Sequence, residues 1–269
     1  DKSLNFTLLA TETNRLTNSG YKTNQTGASL GTRFEYYDDF FFKLGGSLFY
    51  EKLETDSTAS LRQKTQEGDY FDGFLNFNFD YDKRDQKFQT SDGFRSNYGV
   101  DVPLISESYT LTNSFNYKYF SELYEDNITS ISFSFKSANS INNENVKLSE
   151  RLYLSPSKLR GFEFGKVGPK EGDDFVGGNF ISSLNLNSTL PQILSNNENT
   201  DFLIFMDIAN IWGVDYDSSL DDDKIRSSIG IGIDWFTPVG PLTFSLAQPL
   251  SKSKNDKTES FRFNLGTTF

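Results

Sequence analysis

The chain has 269 residues, with 27 Phe, 13 Tyr, seven Pro, no Cys and no His, and a formal net charge of −11. Without Cys or His there is no disulfide framework, no thiolate metal site and no imidazole for general acid–base or zinc chemistry. The acidic balance, with no basic cluster along the sequence, excludes nucleic acid, whose phosphates need a basic face.

No apolar run reaches the roughly twenty residues of a membrane helix. Mean hydropathy is −0.52, but a membrane barrel, apolar on one strand face only, also scores low. No signal peptide is present, so Asp1 opens a mature chain or a fragment of one.

The hydrophobic period is close to two. In chain order it predicts strands near 4–13, 26–36, 39–52, 70–82, 93–102, 108–120, 127–138, 179–190, 201–213, 224–236, 241–250 and 259–269. Phe71, Leu75, Phe77, Phe79 and Tyr81 share one parity; Asp72, Asn76, Asn78 and Asp80 hold the other. Near 224–236, Ile225, Ile229, Ile231, Ile233 and Trp235 oppose Arg226, Ser228, Gly230, Gly232 and Asp234. Alternation sends successive side chains to opposite faces of a strand.

Two architectures fit such a pattern, a lipid-facing barrel and a large β-sandwich. Strand length favours the barrel, because globular strands average five to six residues and bilayer-crossing strands about nine to eleven. The expected fold is therefore an all-β, antiparallel transmembrane barrel. Tight turns (Tyr37-Asp38, Ile105–Ser108 and Thr237–Gly240) against long polar connections (Leu53–Asp69, Asn139–Gly178, Asp215–Asp223 and Ser251–Thr258) suit an outer-membrane barrel. Trp212 and Trp235 fall where interfacial anchors are expected. Acidic pairs such as Asp80 and Asp82 are expected by chance in a polar lumen and define no catalytic site.

One stretch breaks the alternation. Residues 151–178 are rich in Leu, Phe, Val and Gly, too apolar for a solvated linker and too long for an ordinary connection. They are expected to fold against something. Arg160-Gly161-Phe162 lies in the middle, Gly168-Pro169 follows, and Gly177-Gly178-Asn179 opens the next strand. Farther on come FLIFMDIANIWG, then IRSSIGIGIDWFTPVGPLTFSLAQPL, then a last strand ending on Phe269. Upstream, NFDYDKRDQKFQTSDGFR places Asp85, Thr90, Asp92 and Gly93 in a hairpin.

Taken in this order, these motifs resemble the C-terminal barrel of the BamA family, insertase barrels that build other barrels into bacterial outer membranes. The match spans residues 148–269 and continues more weakly toward residue 1. The resemblance implies an integral outer-membrane barrel of roughly sixteen strands. Counting back from Phe269 accounts for twelve. About four earlier strands and the periplasmic domains before them would then lie outside this sequence; a smaller complete barrel is the alternative.

It also implies a non-enzymatic mechanism without cofactor or metal, namely lateral opening at a weak seam and strand addition to client barrels. The seam strand would include Phe261, Phe263, Leu265, Gly266 and Phe269. Residues 151–178 would fold into the lumen, with Arg160, Gly161 and Phe162 at the tip. Asp207 is the expected acidic partner, since it shares parity with Leu203, Phe205 and Ala209 and opposes Ile204, Met206 and Ile208. Where the family often has a further acid this chain has Asn187, which suggests a weaker or rearranged anchorage with Asp234 contributing instead. Implied partners are outer-membrane lipid, nascent outer-membrane β-barrel proteins and, through the periplasmic domains, accessory assembly lipoproteins. Alternatives are a TamA-like or two-partner secretion barrel and a passive outer-membrane channel.

Overall fold

A computed structural model describes residues 2–265 apart from 88, 125–126, 191–198 and 238–239. Twelve antiparallel strands form one continuous sheet in which each long strand pairs with its sequence neighbours. They are β1 (Lys2–Arg15), β2 (Tyr21–Tyr37), β3 (Phe40–Thr55), β4 (Gly68–Asp82), β5 (Gly93–Ile105), β6 (Thr110–Tyr124), β7 (Asn127–Ser140), β10 (Phe180–Thr189), β11 (Thr200–Trp212), β12 (Arg226–Thr237), β13 (Gly240–Ser251) and β14 (Phe261–Leu265). A small hairpin, β8 (Lys170–Glu171) and β9 (Asp174–Phe175), sits in the connection between β7 and β10. The sandwich is ruled out, because among the described residues the other sheet is only the two-stranded β8–β9 hairpin; β1 and β14 are the two edges of the large one.

The outward face is predominantly apolar because alternation sends most of the polar residues to the other face. Leu4, Phe6, Leu8, Leu30, Leu48, Ile204, Ile229, Ile231 and Leu246 are all exposed there. Aromatic rings interlock across β2–β5 near one end, with Phe34 against Phe42, Phe42 against Phe79 and Tyr81 against Phe94 at centroid distances of 5.0–5.4 Å. Such a belt suits an interfacial girdle. Trp212 stacks on Phe180 at one end of the sheet, and Trp235 stands half-exposed at the other.

Strand alternation sorts the connections. The two-residue turn at 38–39 shares its end of the sheet with the connection at 83–92. Ile105–Ser108 lies at the opposite end, with the long loops. A short turn is thus found at each end, and chain direction, not turn length, assigns its side. The end carrying 38–39 is the periplasmic one by the rule that periplasmic turns are short.

Side chains of one parity meet across the inward face. The segment between β7 and β10 folds onto that face and creates the largest apolar core. Val146, Leu152, Leu154, Leu159, Phe162 and Val167 from the loop are buried against Ala138, Ile181, Ala209 and Ile211 from the strands. Its two ends are tied together, as Leu152 N donates to Gly178 O at 2.9 Å and Gly178 N to Leu152 O at 3.1 Å. Asn179 N then donates to Gly213 O, and its main-chain carbonyl accepts from Ala138 N, so the chain passes into β10 with both main-chain groups of Asn179 paired.

Candidate functional site: the loop tip on the inner wall

The tip is organised by one carboxylate. Asp207 is completely buried on the inward parity of β11. Its Oδ2 accepts from Arg160 N at 3.0 Å and Arg160 Nε at 2.7 Å, and its Oδ1 accepts from Arg160 Nη2 at 2.6 Å and Asn185 Nδ2 at 2.8 Å. Four donors fill the lone-pair capacity of a carboxylate. The guanidinium binds in the bidentate mode that makes a buried ion pair tolerable. Its face lies 3.5 Å from the centroid of Phe205, two residues before Asp207 on the same strand.

Asn187 is directly in this site, accepting from Arg160 Nη2 at 2.7 Å. The amide therefore supplies the acceptor that the resemblance assigns to an acid, without a second negative charge. Asp234 accepts instead from Thr243 Oγ1 at 2.7 Å and takes no hydrogen bond from Arg160. The structure thus brings Arg160, Asp207 and Asn187 together and leaves Asp234 outside the pairing.

Gly161 has φ of +90°, and a Cβ there would come within 3.1 Å of Ala247 Cβ and 3.5 Å of Ser228 Cβ. Both its backbone angle and its close approach to β12 and β13 call for glycine. Ser228 Oγ donates to Arg160 O at 2.6 Å, closing the turn from the other side. Phe162 is fully buried in the apolar core.

The tip also touches the segment leading into β14. Glu163 N donates to Lys257 O at 3.0 Å, Lys257 N to Lys166 O at 3.0 Å and Glu259 N to Gly161 O at 3.1 Å. Arg262 Nη2, on β14, donates to Phe162 O at 3.3 Å. Phe261, Phe263 and Leu265 of β14 are about half-exposed on the outward face. They pair with β13 from Leu242↔Leu265 to Leu246↔Phe261, and Phe263 packs on Phe244 with centroids 5.0 Å apart. Gly266 and Phe269 lie outside the described residues.

Three further contacts pin the loop, and alternation alone does not single them out. Arg226 on β12 and Asp256 before β14 are both buried, with Nε to Oδ2 at 3.0 Å, and Gly168 N donates to Asp256 Oδ1 at 3.1 Å. Lys147 Nζ reaches Asp72 Oδ2 at 2.6 Å, Glu51 Oε1 at 3.1 Å and Glu150 Oε1 at 3.8 Å. Burial works against the Lys147 ammonium, but Glu150, Glu51 and Asp72 outweigh it and hold it well above the usual lysine range. Burial also raises the Glu150 carboxyl, against the pull of Lys147 and of hydrogen bonds from Thr110 and Ser108. Arg151 pairs with Asp215, whose other oxygen accepts from Val146 N at 2.7 Å. A sequence signal existed for Asn185, which has the parity of Asn187; none marked Asp256, an acid in a Lys- and Ser-rich connection.

Residues 1–269 match the family model described as the Omp85 superfamily domain. Outer membrane protein assembly factor BamA of Neorickettsia risticii (strain Illinois) is 24% identical over 264 residues, 95% of this chain and 35% of that protein. Its counterpart in Neisseria meningitidis serogroup B is 30% identical over 139 residues, 41% of this chain and 17% of that protein. The chain thus spans about a third or less of these curated relatives. Among solved structures, BamA from Haemophilus ducreyi lacking POTRA domains 1–3 superposes with a TM-score of 0.89 at 22% identity, over 100% of this chain and 59% of that one. CdiB from Acinetobacter baumannii gives a TM-score of 0.60 at 13% identity, over 91% of this chain and 42% of that one. A family model matched over the whole length places this chain in the Omp85 superfamily of integral outer-membrane proteins, with a barrel of the BamA type.

Proposed function

We infer that this chain is the membrane-embedded part of a non-enzymatic factor that assembles β-barrel proteins into the outer membrane. Its clients would be nascent outer-membrane barrels, with outer-membrane lipid around it and accessory lipoproteins engaged through periplasmic domains. Assembly would proceed by lateral opening at β14. A client strand adds to the exposed edge, driven by main-chain hydrogen bonds that lipid cannot replace. An open edge is ordinarily a hazard that barrels abolish by closing. Client folding supplies the free energy, so no nucleotide is needed.

The observation that carries this reading is the main-chain pairing between the loop tip and the lead-in to β14. Residues 257–259 are held by the loop, and among the described residues β14 pairs with β13 from Phe261 to Leu265. An outermost strand braced from inside suits an edge that must open without unfolding the rest. The likeness to CdiB favours a second reading, a polypeptide-translocating barrel.

The test is folding of a labelled barrel client in liposomes that contain the full-length parent protein. Acceleration that disappears when β14 is disulfide-locked to the strand closing the barrel, and returns on reduction, is the expected result. No acceleration together with steady solute flux would sink the reading in favour of a channel.

A further inference from the structure

The inward wall at the short-turn end carries positive charge in an unusual arrangement. Arg33 on β2 stands directly opposite Lys43 on β3, and Arg95 on β5 directly opposite Lys118 on β6. Like charges placed directly across a strand pair are destabilising. The fold accepts this twice, in a protein whose net charge is −11.

Neutralisation is incomplete. Asp80 takes Arg95 at 2.8 Å and is 4.0 Å from Arg33, while Asp82 takes Arg84 at 2.7 Å. Arg33 Nε is buried with no hydrogen-bond partner. Among the described residues, Lys43 and Lys118 form no ion pair, and Lys118 lies over the Phe120 ring. Lys158 descends from the loop, its ammonium donates to Ser134 Oγ and, among the described residues, forms no ion pair, and burial holds it below the usual lysine range. Lys43, Arg84, Arg95, Lys118 and Lys158 line one cleft of about 590 Å³. Across the sheet, Asp201 stands opposite Asp234, so the wall of β11 and β12 is acidic at this end.

We propose that the wall formed by β3–β6 binds an extended acidic stretch of polypeptide entering the lumen from the short-turn end. The cations come from successive elements, Lys43 on β3, Arg84 just beyond β4, Arg95 on β5 and Lys118 on β6, with strands about 4.8 Å apart. A phosphate site gathers its donors, often backbone N–H groups, around one centre; here the donors form a belt. Carboxylates on every second residue of an extended chain lie about 6.6 Å apart, a spacing that can follow such a belt. Asn78 and Asn97 stand among the cations, each donating to the other's side-chain oxygen at 3.2 and 3.1 Å, and so place amide groups beside the segment's backbone. The acidic wall opposite repels the same segment toward the basic one. The surface does not depend on client insertion: it requires only access to the lumen.

The test is binding of a fluorescein-labelled eight-residue peptide of alternating Asp and Thr to the full-length parent in nanodiscs, by fluorescence anisotropy. A peptide of alternating Lys and Thr and inorganic phosphate serve as comparators. The Asp peptide is expected to bind, to weaken with salt, and to lose about tenfold or more in affinity in Lys43→Gln/Lys118→Gln. Lys43→Glu/Lys118→Glu should reverse the preference toward the Lys peptide, a gain that misfolding cannot produce. Equal affinity in the Gln variant, equal binding of both peptides by the wild type, or displacement of the Asp peptide by equimolar phosphate would each overturn the proposal. Client folding is not read here, so failure of this test leaves the assembly reading standing.

Discussion

Arg226 and Asp256 are both buried and meet at 3.0 Å, although one opens β12 and the other lies in the connection before β14. Arg226 Nη2 also donates to Asp256 Oδ1 at 3.3 Å, and Asn210, Asp222 and the carbonyl of Lys224 take the other guanidinium hydrogens at 2.7–2.8 Å. Asp256 in turn accepts from Ser253 N at 2.6 Å and Gly168 N at 3.1 Å. One ion pair therefore holds the loop, β12 and the approach to β14 in a single network. Removing one member of a buried pair leaves an uncompensated charge and costs about 3–5 kcal/mol. Asp256→Ala is expected to lose about that much stability, and Arg226→Met/Asp256→Leu much less. Thermal unfolding of both variants in detergent checks this; equal losses would contradict it.

At the tip, Arg160→Lys keeps the charge but loses the bidentate contact with Asp207, the bond to Asn187 and the flat stacking on Phe205. We expect it to behave much more like Arg160→Ala than like wild type. Protease cleavage within residues 151–178 should accelerate at least about tenfold in both. A wild-type cleavage rate for the Lys variant would show that charge alone anchors the loop.

Asn187→Asp tests why an amide suffices. The new carboxylate would sit by a guanidinium already neutralised by Asp207. The added charge is expected to change stability by less than about 1 kcal/mol at neutral pH, against about 3 kcal/mol or more lost in Asp207→Asn. Chemical denaturation of the two variants separates them, and a large gain in Asn187→Asp would mean that the natural anchorage is under-charged.

Gly161→Ala combines a disfavoured positive φ with contact against Ala247 and Ser228. A loss of about 1–3 kcal/mol is expected. Gly172 also has positive φ but a Cβ there meets nothing within 4 Å, so Gly172→Ala should cost less, about 1 kcal/mol. Unfolding midpoints of the pair give the comparison, and equal losses would remove the close approach as a cause.

Lys147→Met should make stability depend on pH. The Glu150 carboxyl is raised in the folded protein by burial. Such a shift favours folding fully below the unfolded value, and the contribution is lost as pH rises through the folded one. Deleting Lys147 removes the main charge that opposes the shift. The variant should be weakest at neutral pH and regain more stability than wild type as pH falls toward the carboxylate range. Melting curves between pH 4.5 and 8 decide this; a variant equally weak across that range would rule the linkage out.

Alternation alone determined the all-β class, the twelve strands and which face of each is polar, because a pleated strand has a side-chain period of two regardless of what surrounds it. It also marked residues 151–178 as a folded loop, since so many apolar residues cannot remain solvated. It placed the strand ends less well. β2 begins at Tyr21, not near 26, because Thr23 and Gln25 alternate as polar residues on a wet inner wall and give no apolar signal.

Only the tertiary structure could decide who meets whom across the lumen. Asp207 and Asn187 reach Arg160 because neighbouring strands bring their inward side chains together, whereas Asp234, of equal parity and charge, takes Thr243. The basic wall is invisible along the chain, where its cations are scattered singly from Arg33 to Lys158. Strand register stacks them into one face, and register follows from pairing between strands, which no local pattern encodes.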